Sequence, residues 1–190
     1  MNSRVIAAAA LFAAVSSAPA PAQSSVRLEI RPFAGMFVPT GTQRDDFKKA
    51  AMLGFQSALE VSSYMHFLAS VGWTDGRSKI GALTNDVAHI WQYDLGAEFN
   101  GVRELSYSML FRPFIGVGAG ARKYDYDAVG VGTRTCSAGY AALGSELQRK
   151  SFALRLESRG YVSCFKSPLS GEQRYRNDMS FAFGLAYHVN

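Results

Sequence analysis

Eleven charged side chains fall where a strand reading points them all the same way: Arg27, Glu29, Arg31, Glu60, Asp94, Glu98, Arg112, Glu146, Arg155, Glu157 and Arg159. Five are arginines and six are carboxylates, so the set is close to neutral. Charges removed from water have to be paired. The chemistry this predicts is a salt-bridged, hydrogen-bonded plug, with Glu157 between two arginines at its centre. A narrow gated pore or proton path is the other use the same residues allow.

Two further residue types could react. Cys136 and Cys164 lie on neighbouring strands, one position off direct opposition about the turn Gln148–Ser151. A perfect ladder would put them on opposite faces, so a bulge or loop start is needed to bring them together. In an exported chain the pair predicts a disulfide. The three histidines, His66, His89 and His188, are far apart in the topology, and no pair has metal-ligand spacing. No metal or cofactor is expected, no nucleophile motif accompanies the serines, and each histidine reads as polar filler. Basic residues of the connections, Arg44, Lys48, Lys49, Arg77, Lys79, Arg122 and Lys123, could pair with lipid phosphates.

These side chains need elements that hold them on one face. Phe152 to Val162 shows the pattern most cleanly. Phe152, Leu154, Leu156 and Val162 alternate with Arg155, Glu157, Arg159 and Tyr161. A period of two marks a strand with two different environments. Seven more segments repeat it: Val26–Val38, Phe55–Ser63, Phe67–Thr74, Val87–Phe99, Leu105–Ala121, Arg134–Leu147 and Asn177–Val189. The connections between the eight alternate long and short. Pro32 and Pro113 predict a bulge or a missed bond, because proline removes a ladder donor. Arg31-Pro32-Phe33-Ala34-Gly35 recurs as Arg112-Pro113-Phe114-Ile115-Gly116.

Residues 1–22 read as a cleaved export signal. Arg4 is its basic start, Val5–Val15 an apolar core too short to span a bilayer, and Ala20-Pro21-Ala22 the small-residue cleavage motif. Residues 23–190 then form one domain. Mean hydropathy is −0.02, which excludes a helical membrane protein. Net charge is +5 with no basic run, so no nucleic-acid partner is expected. Apolar residues facing lipid and charges facing a lumen would make an all-β, eight-stranded antiparallel up-and-down transmembrane barrel. Trp73, Trp91, Tyr93, Phe99, Phe152 and Tyr187 would form its aromatic girdles.

The Arg-Pro-Phe-x-Gly strands, Ala153-Leu154-Arg155-Leu156-Glu157 and the closing Phe181-Ala182-Phe183-Gly184-Leu185-Ala186-Tyr187 carry a resemblance. The chain resembles the small outer-membrane β-barrels of the OmpA-like or OmpX-like type over its whole mature length. That family usually ends in an aromatic residue read by the barrel assembly machinery, whereas this chain ends Tyr187-His188-Val189-Asn190. The resemblance implies a monomer in the outer membrane of a Gram-negative-type bacterium, among outer-membrane lipid and lipopolysaccharide. The expected role is non-enzymatic, structural or in surface contact. The alternatives are a lipid-modifying acyl hydrolase or transferase, which needs His, Ser and an acid within hydrogen-bond reach, a porin-like narrow pore, and a secreted lipocalin-like binding barrel.

Overall fold

A computed structural model describes residues 27–80, 84, 86–106, 108–127, 132–166 and 173–189; the expected signal segment lies outside them. The strands are β1 (Arg27–Pro39), β2 (Ala50–Ser62), β3 (Met65–Arg77), β4 (Val87–Asn100), β5 (Arg103–Ser106), β6 (Met109–Tyr126), β7 (Arg134–Arg149), β8 (Phe152–Lys166) and β9 (Gln173–Val189). A 3₁₀ turn, η1, covers Gly41–Asp45. All pairings are antiparallel. β1 pairs with both β2 and β9, and β4 pairs with β6, so eight staves close on themselves.

The ninth element, β5, corrects the expected short turn at Asn100–Glu104. It forms a hairpin with the start of β6, Arg103 opposite Phe111, below the point where β4 stops at Asn100 opposite Phe114. Pro113 sits in the gap where β6 changes partner, so its missing donor is not called upon. Pro32 is handled in a similar way. On the β9 side the ladder skips from Ile30 opposite Tyr187 to Phe33 opposite Gly184, without a change of register.

The outer wall is apolar. Leu95, Ile115 and Leu143 are 66%, 65% and 64% exposed. Soluble monomers rarely expose large contiguous apolar patches, and here they ring the whole barrel, as lipid contact requires. Phe152 and Tyr187 touch at one end of this band, with ring centroids 5.1 Å apart. At the other end Trp91 stacks on Tyr93 at 6.4 Å and lies tilted beside Trp73 at 6.5 Å.

Beyond that tryptophan pair the wall inverts. β3, β4 and β6 continue outward with Asp75, Arg77, His89, Lys123 and Asp125 on the outside. Inside are Phe37, Ile90, Tyr124, Tyr126 and Phe165, all buried, with Phe47 of the first outer loop seated among them. A barrel protruding into water needs an apolar inside and a polar outside, the reverse of the part in lipid. The change of sense marks the upper membrane boundary. It also explains why the strands run longer than predicted. Segments such as Arg122–Tyr126 read as a loop by composition, yet their ladder continues.

Candidate functional site

Charged side chains are buried on the inside of the barrel, and several of them form ion pairs. Six arginines and six carboxylates are buried there, Arg31, Arg112, Arg122, Arg155, Arg159 and, in the mouth above the band, Arg176 against Glu29, Asp94, Glu98, Glu146, Glu157 and Asp178. Strand period two places Arg155, Glu157 and Arg159 in one inward column. Arg155 Nη2 donates to Glu157 Oε2 at 2.7 Å, and Arg159 Nε donates to Glu157 Oε1. Glu98 of β4 reaches across the barrel. It accepts from Arg31 Nη1 at 3.4 Å and from Arg155 Nη2, and lies 3.6 Å from His66 Nδ1. Arg31 Nε also donates to Glu29 at 2.8 Å.

One layer up, Asp94 accepts from Arg159 Nη1 at 3.0 Å and from the Tyr161 hydroxyl at 2.8 Å. Above that, Arg122 Nη1 donates to Asp178 at 2.9 Å and its Nη2 to Gln92 at 3.1 Å. Arg155 lies 3.6 Å over the Phe114 ring and Arg122 4.2 Å over the Tyr161 ring. These cation–π contacts satisfy the faces the carboxylates leave. A void of about 20 Å³ remains beside Arg31, Gln56 and Arg159, room for about one water.

Nine of the eleven predicted lumen charges are buried in this column: Glu29, Arg31, Asp94, Glu98, Arg112, Glu146, Arg155, Glu157 and Arg159. Arg27 is exposed and Glu60 only half-buried, because β1 and β2 reach the end of the barrel there. Glu157 is bonded to both Arg155 and Arg159, and Glu98 forms a second hub. Glu157 is tied closest to its own strand at i±2, whereas Glu98 joins β1 to β8. Composition alone hid Arg122, Asp178 and Arg176, which sit in stretches of mixed polarity. Arg122 was expected at the surface as a lipid-phosphate contact and is instead 1% exposed.

Cys136 and Cys164 do not form the expected disulfide. The β7–β8 ladder runs without a bulge, Ala138 opposite Ser163, so direct opposition is off by one residue. Cys136 faces into the barrel, and Cys164 lies on the other face with its sulfur 3.9 Å from the Ser137 hydroxyl.

At the outer rim, above the membrane band, His89 Nδ1 lies 2.5 Å from Asp75 and Nε2 lies 3.2 Å from Asp127. The hydrogen bond to Asp75 raises the His89 pKa above its usual 6.5, against the cost of burial and with further help from the charges of Asp75 and Asp127. When protonated, the ring clasps β3, β4 and the end of β6. Because the folded pKa is raised, this contribution is complete below the unfolded value and is lost as pH rises through the folded one. NMR titration of the His89 ring is expected to give a midpoint above 6.5, moving down in Asp75→Asn. An unchanged midpoint in that variant would refute the clasp.

No family model matches the chain, and no curated protein does. Solved structures do match. The crystal structure of Neisserial surface protein A is similar at TM-score 0.66 and 9% identity, covering 84% of this chain and 96% of that one. The N-terminal β-barrel domain of Pseudomonas aeruginosa OprF follows at TM-score 0.53 and 12% identity, covering 87% and 100%. Yersinia pestis Ail, the attachment invasion locus protein, solved with the heparin analogue sucrose octasulfate, matches at 0.50 and 13%, covering 87% and 100%. The fold, with its apolar band, is that of the small outer-membrane β-barrels.

Proposed function

We propose that this chain is a closed, non-enzymatic barrel of the outer membrane that works through its wall and its outer rim. The observation that supports this reading is a lumen filled at two levels. The paired charges occupy the membrane band, and the Phe37–Phe47–Tyr124–Phe165 cluster stops the mouth above them. The first outer loop is held in that mouth by Arg176 pairing with Asp46, by Lys48 N donating to Arg77 O at 3.0 Å, and by Lys79 N donating to Asp46 O at 2.7 Å.

Arg44, Lys48, Lys49, Arg77 and Lys79 stay exposed on this docked loop and its neighbour. They stand at the height of lipopolysaccharide phosphates, the partner we assign to them, with the barrel assembly machinery as the partner during insertion. An acyl hydrolase or transferase is disfavoured by His89, whose two ring nitrogens are both turned to carboxylates, so neither is left to activate a hydroxyl.

Planar-bilayer recording of the purified barrel tests the reading. No stepwise conductance is expected, and Phe47→Ala should stay silent as well, because the charge column below remains. Discrete conductance steps from the wild-type protein would overturn it.

A further inference from the structure

Three side chains at the inner end of the lumen come together from three strands. Glu60 and His66 are direct partners on the β2–β3 ladder, and Glu29 lies diagonally across on β1, two residues from Arg27, the partner of Glu60. One ligand atom from each lies within 4.8 Å of the other two. We propose that Glu29, Glu60 and His66 form a divalent metal site, with zinc the ion their donors fit best, which bolts the inner ends of β1, β2 and β3 together.

The donor set is one imidazole and two carboxylates. Zinc accepts this mixture in four-coordinate sites, with the fourth position open to water. Magnesium and calcium prefer oxygen donors alone. An independent feature points into the cluster. His66 is 1% exposed, yet its Nε2 meets no hydrogen-bond partner among the described residues. Its other nitrogen is engaged, with Arg31 Nη2 at 3.1 Å and Glu98 Oε1 at 3.6 Å. Nε2 is therefore the nitrogen left for the two carboxylates. Glu60 Oε2 is also buried without a partner. Leaving such groups unmet costs free energy that a ligand recovers.

The surroundings suit a cation. Arg31 only donates, so its contact with Nδ1 leaves the neutral ring's proton on Nε2; an ion at Nε2 requires the other tautomer, with Nδ1–H turned to Glu98 as metal-bound histidines turn theirs to a carboxylate. Glu98 is already met by Arg31 and Arg155, and Glu29 by Arg31 and, at 3.9 Å, by Arg112, so Glu60 is the carboxylate whose charge a divalent ion would offset. Half-buried Glu60 and exposed Arg27 leave the site open to the inner mouth. The placement rests on the barrel reading above only for calling that mouth the inner one.

Calorimetric titration of tag-free, chelator-stripped barrel in detergent micelles with zinc chloride tests this. One ion per barrel is expected, with a higher unfolding temperature in its presence and no such shift from magnesium. His66→Gln and Glu60→Gln should each weaken binding at least about tenfold, with heat-modifiable migration on a gel confirming the fold. His89→Gln, at the opposite rim, should leave both affinity and stoichiometry unchanged. A wild-type barrel that takes up no zinc overturns the site, and so does uptake that survives Glu60→Gln in a folded barrel. Neither result bears on conductance, so the closed-barrel reading stands or falls separately.

Discussion

Replacing Glu98 with alanine is expected to destabilise the folded barrel by about 3–5 kcal/mol, the usual cost of breaking a buried ion pair from one side. Glu98 is 1% exposed and faces both Arg31 and Arg155, themselves 2% and 3% exposed. Its loss leaves two guanidiniums sharing the remaining acids, Glu29, Glu146 and Glu157, in a low-dielectric interior. Urea titration followed by gel migration measures the change. The cost should persist in ~1 M salt, because buried pairs are screened far less than exposed ones. Arg27→Gln is the matched control. That side chain is exposed at the inner rim, and its removal should stay within about 0.5 kcal/mol. Equal losses in the two variants would mean that the column carries no special weight. A loss in Glu98→Ala that disappears with salt would mean that water reaches the hub.

The staves were legible because lipid and lumen differ so sharply. Along Phe152–Val162 of β8, apolar or small residues alternate almost without a slip with Arg155, Glu157, Arg159 and Tyr161, and these four are found inward in the structure. The same logic fails above the membrane, where the inside turns apolar. Tyr124-Asp125-Tyr126 keeps its period of two with both tyrosines inward, yet it reads as a loop, since neither pattern of polarity continues across the boundary. His66 was read as part of a turn, and only the ladder opposite Glu60 turns it inward. Same-strand pairs such as Arg155 with Glu157 are visible at i±2. The bond from Arg31 to Glu98 spans 67 positions and exists only once the barrel closes. For the cysteines, a ladder without a bulge decides the outcome, and a sequence does not display its bulges.

Closure also gives the repeated Arg-Pro-Phe-x-Gly segment a physical meaning, and with it the second large effect. In each copy the phenylalanine lies inside the barrel over a glycine of the next strand, Phe33 over Gly54 and Phe114 over Gly144. A Cβ on Gly144 would run into the Phe114 ring and into the Leu156 carbonyl oxygen, and one on Gly54 into the Phe33 ring and the Val71 carbonyl. Phe114→Ala should cost about 3–5 kcal/mol for the lost ring, and more for Arg155, which loses the face it stacks on at 3.6 Å. Gly144→Ala should cost about 1–3 kcal/mol through overpacking. The two should not cancel when combined. Removing the ring leaves the Leu156 carbonyl in place, and a main-chain oxygen in a closed ladder cannot turn aside as a side chain can. Gly160→Ala on β8 is the control, since nothing lies within 4 Å of the added carbon. It should be neutral or stabilise by up to about 1 kcal/mol through the unfolded chain. If Gly160→Ala costs as much as Gly144→Ala, the glycines serve the strands generally. If Phe114→Ala rescues Gly144→Ala completely, the ring alone selects the glycine. The expected result, partial relief at most, makes glycine a requirement of backbone approach first and of the aromatic cover second.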